Sequence, residues 1–342
     1  MKKIGIIFGM EESFPPALVE KVNSMKLTDI QAEVIHLGAV KMAEPSGYAV
    51  IVDRISHDIP FYRAYLKNAA LNGTRVINNP FWWSADDKFF NYALASKLGV
   101  AVPPTVILPH KQHPPRTTEK SMRNLIFPLN WDEVFAYVGF PAFLKPFDGG
   151  GWKDVHKVDS PDELFRAYDQ SRDLCMTLQK AVNFKEYFRC YVVGQEKVHI
   201  MLYDPRAPHH ERYVRNGPLV AQALLDRVEQ DALTLCRALG YDLNTVEFAV
   251  EDGVPYAIDF MNPAPDAELG SIGQENFNWI VNAMAELTVK YAQKRSSPLK
   301  DYRWAEFLKG PAQPAEIEVK KGASPAPAVT AARAVRKPST PA

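Results

Sequence analysis

The sequence is poor in cysteine: Cys175, Cys190 and Cys236 are the only three in 342 residues, far apart and in no CxxC pair. Such spacing excludes a disulfide framework and a thiolate metal site. It points to a reduced, cytoplasmic setting in which each thiol is a small core residue. Net charge is lacking as well. Forty Lys+Arg balance forty Asp+Glu, so no overall field draws the chain to nucleic acid or to an anionic membrane. Nothing approaches the ~20 apolar residues of a membrane span. The opening MKKIGIIFGMEES has an apolar run too short for a signal peptide, with Glu11 and Glu12 close behind, and reads as a first buried strand. Neither GxxxxGK[ST] nor GxGxxG occurs, no Ser/His/Asp or Cys/His arrangement stands out, and there are no internal repeats.

What is present is 46% hydrophobic content, enough for a large core in two or three domains. Residues 3–8, 49–53 and 75–78 are short β-branched runs, with FPPALVEKVNSM and PFYRAYLKNAALNG as helical segments between them. Strands alternating with helices predict a small parallel sheet, an α/β domain over residues 1–82. An α+β lobe over 83–180 follows. There SADDKFFNYALASKLG is a helix stopped by Gly99, VPPTVIL and PAFLKP are strands divided by a polar stretch at 109–137, and Ser160, Pro161 and Glu163 form a helix-start capping box. A third lobe, 181–308, has four long strands (EYFRCYVVG, EKVHIMLYD, NTVEFAVED, VPYAIDFMN). They predict an antiparallel sheet with a hairpin at Asp252–Gly253 and helices over 218–239 and 274–293. Pro, Ala and Lys dominate 309–342, which predicts a disordered tail.

The chemistry concentrates in a few stretches. In FLKPFDGGGWKDVHKV, Lys145 ends a strand and Gly149, Gly150 and Gly151 expose successive N–H groups with no Cβ in the way. Such a loop closes over phosphate oxygens while the lysine supplies a point charge; a glycine-rich hairpin turn reads the same. Lys88 opens a helix, where a cation is unfavourable unless an anion lies beside it. In LQKAVNFKE a strand exit offers backbone groups able to read an adenine edge, and Glu186 an acceptor for ribose hydroxyls. In VEFAVEDGVPYAIDFMN, Glu247 and Asp259 come opposite one another across the hairpin, with Asn262 three residues on. Charges inside apolar strands are costly unless paired or metal-bound, and two carboxylates with an amide oxygen suit Mg2+. The bland alternative is a surface pair on a half-exposed sheet.

Lys88, Lys145 with its glycine loop, Gln179 to Glu186 and the acidic pair before Asn262 occur in an order that resembles the ATP-grasp superfamily. The likeness spans about residues 1–300 and is greatest to D-alanine–D-alanine ligase, glutathione synthetase and the ribosomal-protein glutamate ligases; YFRCYVVG is similar to the DIRxxVVG strand of the last. The resemblance implies an ATP-grasp fold, with a pre-ATP-grasp α/β domain and two α+β lobes clamping ATP. It implies an ADP-forming carboxylate–amine ligase working through an acylphosphate on an amino acid or small peptide. A polypeptide-modifying ligase and a nucleotide-binding module without turnover are the alternatives.

In residues, the resemblance implies phosphate contacts from Lys88, Lys145, Gly149, Gly150 and Gly151. Gln179, Lys180, Ala181 and Val182 would form the adenine edge, and Glu186 would bind ribose. Glu247, Asp259 and Asn262 would hold Mg2+, with Mn2+ as a substitute ion. The Asp259-x-x-Asn262 spacing departs from the usual ExN and implies a bulge or a changed ligand; Thr245 stands where D-alanine ligases carry an arginine. Substrate contacts are expected from Arg189, Arg212, Arg215 and Asn216 for a carboxylate, and from Glu12 and Ser13 for an amine. Trp82, Trp83 and Trp152 read as core, with pocket walls as the alternative. Partners are a small-molecule acid and amine, with a homodimer as the expected assembly.

Overall fold

The structure is a computed structural model that describes residues 1–81, 87–150, 152–214 and 217–294. The predicted tail at 309–342, Trp82, Trp83, Gly151, Arg215 and Asn216 therefore lie outside the described residues. Among the described residues there are three four-stranded sheets, and no helix is long and apolar enough to cross a membrane.

The first sheet is parallel, in the order β2-β1-β3-β4, from β1 (Lys2–Ile7), β2 (Ile30–Val34), β3 (Val50–Asp53) and β4 (Arg75–Ile77). All four residues of β3 are buried, as a central parallel strand covered on both faces requires. Sequence reading finds β1, β3 and β4 but passes over β2, whose IQAEV is too polar to stand out because it is an edge strand. Helix α1 (Phe14–Ser24) buries Phe14, Leu18 and Val22, a stripe at four-residue spacing, and α2 (Pro60–Leu71) precedes β4.

Helix α3 (Lys88–Lys97) leads into the second sheet, which is antiparallel in the order β5-β8-β6-β7. Its strands are β5 (Thr105–Leu108), β6 (Ala142–Pro146), β7 (His156–Val158) and β8 (Met176–Lys180). One face is covered by α4 (Trp131–Val138) and α5 (Pro161–Gln170). Helix α4 corrects the expectation of a merely polar connection over 109–137. Trp131 and Phe135, one turn apart, meet Phe165, Tyr168 and Phe140 in an aromatic cluster. The predicted N-cap of α5 is present, since Ser160 Oγ accepts from the Glu163 N–H. The Glu163 carboxylate, however, accepts from the Asp159 N–H at 2.7 Å, one residue before the cap, and so does not close the box.

The third sheet is antiparallel, order β10-β9-β11-β12, built from β9 (Glu186–Val193), β10 (Lys197–Leu202), β11 (Leu243–Glu251) and β12 (Val254–Asp259). Asp252 and Gly253, at φ +51° and +77°, make the left-handed two-residue turn expected between β11 and β12. Helix α6 (Gln222–Leu239) packs on one face and stops at Gly240 (φ +74°); it starts after 218 because Ala221 is extended. Beyond β12 come α7 (Leu269–Ile272) and α8 (Gln274–Gln293). Helix α8 packs against the first sheet and also the third, so Ile4 and Val50 share one core with Ile280, Met284 and Tyr191.

One buried amide secures that junction. Asn78, just past β4, donates through Nδ2 to the carbonyls of Leu243 (2.7 Å) and Pro263 (3.1 Å), and its Oδ1 accepts from the N–H groups of Asp242 and Leu243. These four bonds exhaust its capacity. Replacing Asn78 by Ala strands buried backbone groups, so Asn78→Ala is expected to lower the unfolding free energy in urea by about 3 kcal/mol; a loss below about 1 kcal/mol contradicts this role.

Candidate functional site

Strand alternation sends every second residue of β6 and β8 away from the core of their sheet. Ala142, Leu144, Met176 and Leu178 are buried against α4 and α5, while Phe143, Lys145 and Gln179 face outward. The third sheet behaves likewise. Phe188, Cys190, Val246 and Phe248 point to α6, and Tyr187, Arg189, Glu247 and Ala249 point the other way. These two faces, the second covered by α8 over part of its length, enclose a cleft of about 340 Å3, within the range of small-ligand pockets.

Three charged residues stand in one row across that floor. Arg189 on β9 pairs in register with Glu247 on β11, which pairs with Asp259 on β12. The register shifts between Glu247 and Phe248, because Phe248 faces Ala257 and Ile258 is an extra residue. The bulge turns both Ile258 and Asp259 toward the cleft while Ala257 and Phe260 stay in the core. A bulge is thus present, and it lies before Asp259. Asn262 also lines the cleft, its N–H donating to Asn244 Oδ1 at 2.9 Å.

The charges are strongly coupled. Arg189 Nη1 lies 3.6 Å from Glu247 Oε1, and the Tyr187 hydroxyl donates to Glu247 Oε2 at 2.6 Å. Burial raises the Glu247 pKa against the pull of Arg189, and Asp259 raises it further. Two facing carboxylates repel; a divalent cation between them would relieve the repulsion, and their hard oxygens with the Asn262 amide suit Mg2+. Among the described residues no group of three or more His, Cys, Asp or Glu gathers as a metal site. Mg2+ does not need one, since it takes one or two carboxylates and completes its shell with phosphates and water.

Two lysines face this row from the other wall. Lys145 Nζ donates to the Tyr92 hydroxyl and to Gln179 Oε1, both at 2.8 Å. Burial lowers its pKa to about 8, although Asp259 and Glu247 oppose the shift. Lys88 is also lowered, first by burial and then by the nearby charge of Lys145, with Asp259 and Asp148 opposing. Its ammonium donates to the Gly149 carbonyl and its backbone N–H to Phe147 O at 3.0 Å, tying the start of α3 to the glycine loop. Gly149 has φ +78°, a conformation suited to glycine.

Other expected residues distribute unevenly. Gly150, Lys180, Val182 and Arg212 line the cleft with the groups above. Ala181 follows the end of β8 and donates its N–H to Pro141 O, while Glu186 lines a small adjoining depression with Phe184 and Tyr187. Glu12 and Ser13 are not among the cleft-lining residues. Ser13 is occupied in fixing the chain past β12: its hydroxyl donates to Glu268 at 2.9 Å and accepts from the Leu269 N–H. Trp152 is not core but follows the pocket-wall alternative, being 60% exposed on the cleft rim at φ +63°. Sequence reading also missed Tyr92, Tyr187 and Tyr203. Tyr92 follows Lys88 by one helical turn and Tyr187 precedes Arg189 by two strand residues, so periodicity carried a signal for both.

No family profile matches the chain. An acetyl-CoA carboxylase from Dictyostelium discoideum is 25% identical over 142 residues, 38% of this chain, and the chain spans 6% of that protein's length. Solved structures agree over far more. D-alanine–D-alanine ligase from Bacillus anthracis, complexed with ATP, superposes with a TM-score of 0.58 at 17% identity, covering 85% of this chain and 97% of that one. A RimK domain ATP-grasp protein from Sphaerobacter thermophilus gives 0.57 at 14% identity, over 85% and 100%. The ATP-grasp ligase PsnB, complexed with a minimal precursor, gives 0.59 at 13%, over 86% and 100%. The chain has the fold of these ATP-grasp proteins.

The lowered Lys145 pKa has a direct readout. Acylation of Lys145 in the ligand-free protein, followed by peptide mass spectrometry, is expected to rise with a midpoint near pH 8. A midpoint at the ordinary lysine value of about 10.4 contradicts the burial argument.

Proposed function

We propose that this protein is an ATP-dependent, ADP-forming carboxylate–amine ligase acting through an acylphosphate on an amino acid or small peptide. The observation that carries the reading is the convergence of Lys88, Lys145, Glu247 and Asp259, from four elements of two lobes, on one cleft. Two ammonium groups facing two carboxylates make a poor site for a neutral ligand. They match a triphosphate with its divalent cation.

In the reaction, an oxygen of the substrate carboxylate attacks the γ-phosphorus and the bond to the ADP oxygen breaks, leaving an acylphosphate. The amine lone pair then attacks the acyl carbon, phosphate departs and the amine loses its proton. Both reactants of the first step are anions, so the chain's task is charge and position and not a protein nucleophile. Lys145 and Lys88 offset the phosphate charge, and Gly149 and Gly150 cover it. Gln179 to Val182 take the adenine edge, and Glu186, in the adjoining depression, the ribose. Glu247, Asp259 and Asn262 hold Mg2+, which when bound draws electron density from the phosphoryl oxygens.

Arg189 and Arg212 are assigned to the acid substrate. Arg189 Nε and the Tyr213 hydroxyl are buried with no hydrogen-bond partner among the described residues, and the Arg189 guanidinium lies 5.4 Å over the Tyr203 ring. A bound carboxylate satisfies donors of this kind. Glu12 and Ser13 are not retained as the amine site, since Ser13 is engaged by Glu268.

Purified protein incubated with ATP, Mg2+ and pools of acids and amines is expected to release ADP only when one acid and one amine are both present. ADP release that requires a polypeptide acceptor would assign a protein-modifying ligase, and tight ATP binding without turnover in any pool would refute ligase activity. Asp259→Asn is expected to cut turnover by more than about 100-fold through lost charge stabilisation. Its melting temperature should hold or rise, because the repulsion on Glu247 is relieved. Wild-type turnover in that variant would remove Asp259 from the site.

A further inference from the structure

Tyr92 lies one turn beyond Lys88 on α3 and is 5% exposed. Its ring packs edge-on against Phe260, with centroids 5.6 Å apart. A phenol has a single proton, and here it goes to the Ile258 carbonyl at 2.7 Å. The oxygen is left to accept, and it accepts from Lys145 Nζ. On the other side, Gln179 Oε1 accepts from Lys145, Gln179 Nε2 donates to Thr105 Oγ1 at 2.8 Å, and Thr105 Oγ1 donates to Pro103 O at 2.8 Å.

A single hydrogen-bonded chain therefore runs outward from the Lys145 nitrogen in both directions, ending on a backbone carbonyl of each lobe. Every donor direction is fixed by the chain, including which way the Gln179 amide points. Two of the three ammonium protons are used, and the third is left for the cleft. The far end is not an arbitrary carbonyl: Ile258 is the bulge residue that turns Asp259 into the cleft.

We infer that Tyr92 is a positioning residue, tying the ammonium of the second sheet to the bulge that presents Asp259 so that cation and carboxylate are held as one unit. The inference rests on the nucleotide reading above and adds to it a residue that touches neither nucleotide nor metal. Without the hydroxyl, Lys145 keeps only Gln179 as a neutral acceptor and its flexible stem is free to swing. The charged groups facing it remain Asp259 on β12, Glu247 on β11 and Lys88 on α3.

The test is Tyr92→Phe in the full chain, which keeps the ring against Phe260 and removes only the oxygen; its melting curve serves as the folding control. Two readouts separate the link from its use. Acylation of Lys145 without nucleotide should show its midpoint displaced downward by roughly one pH unit, because an acceptor that favours the charged form is gone. Calorimetric titration with ADP and Mg2+ should show affinity weakened about tenfold, the size of a lost charge-assisted bond. An unchanged acylation midpoint overturns the link. A displaced midpoint with wild-type ADP affinity overturns the positioning role. Wild-type protein that binds no ADP refutes the nucleotide reading, while the acylation arm still decides whether Tyr92 holds Lys145.

Discussion

Two carboxylates facing each other across adjacent strands, in a partly closed cleft, are the constraint around which this molecule is arranged. Glu247 and Asp259 occupy paired positions of one hairpin, and neither α6 nor α8 covers them. In isolation such a pair would protonate or drive the strands apart. Here it is offset within the sheet by Arg189, in register on β9, and across the cleft by Lys145 and Lys88. The balance is incomplete, since Glu247 is still raised and Lys145 still lowered. An ensemble of opposed charges with shifted pKa values in a cleft marks a site built for a charged ligand.

The scaffold holds that arrangement with buried amides. Asn244 donates to the Phe260 carbonyl at 2.8 Å and accepts from the Asn262 N–H, so β11 governs the chain beyond the end of β12. Asn78 fixes the start of β11 to the first sheet and to Pro263. Both side chains are at most 2% exposed, where an unmatched amide would be costly, and both are matched by backbone groups. Helix α8 adds apolar packing between the first and third sheets. The parts beside the cleft are held more lightly: the glycine loop is joined to α3 through Lys88, and Trp152 stands exposed at its rim.

Much of this was legible in the sequence where a local rule acts. The strands EYFRCYVVG and NTVEFAVED were recognisable as such, and Asp252–Gly253 fixed the hairpin that brings Asp259 opposite Glu247. The N-cap at Ser160 and the stop at Gly240 were equally local. What escaped depends on tertiary contact. Strand β2 has an edge strand's composition, and α4 draws its stability from aromatic partners distant in sequence. The bulge at Ile258 leaves no mark in the residue pattern, and the bond of Ser13 to Glu268 could not be foreseen because the two lie 255 residues apart. For Tyr92 the helical spacing from Lys88 offered a signal of its place, but its hydrogen bonds appear only once Lys145 and Ile258 approach it from two other elements.

The most direct test is a crystal structure of the full chain with a non-hydrolysable ATP analogue and Mg2+. The account predicts one triphosphate between the two sheets, its oxygens in contact with the Nζ atoms of both Lys88 and Lys145 and its cation on Glu247 and Asp259. A nucleotide bound elsewhere, or one reaching a single lysine while the carboxylate pair stays without a metal, would contradict it.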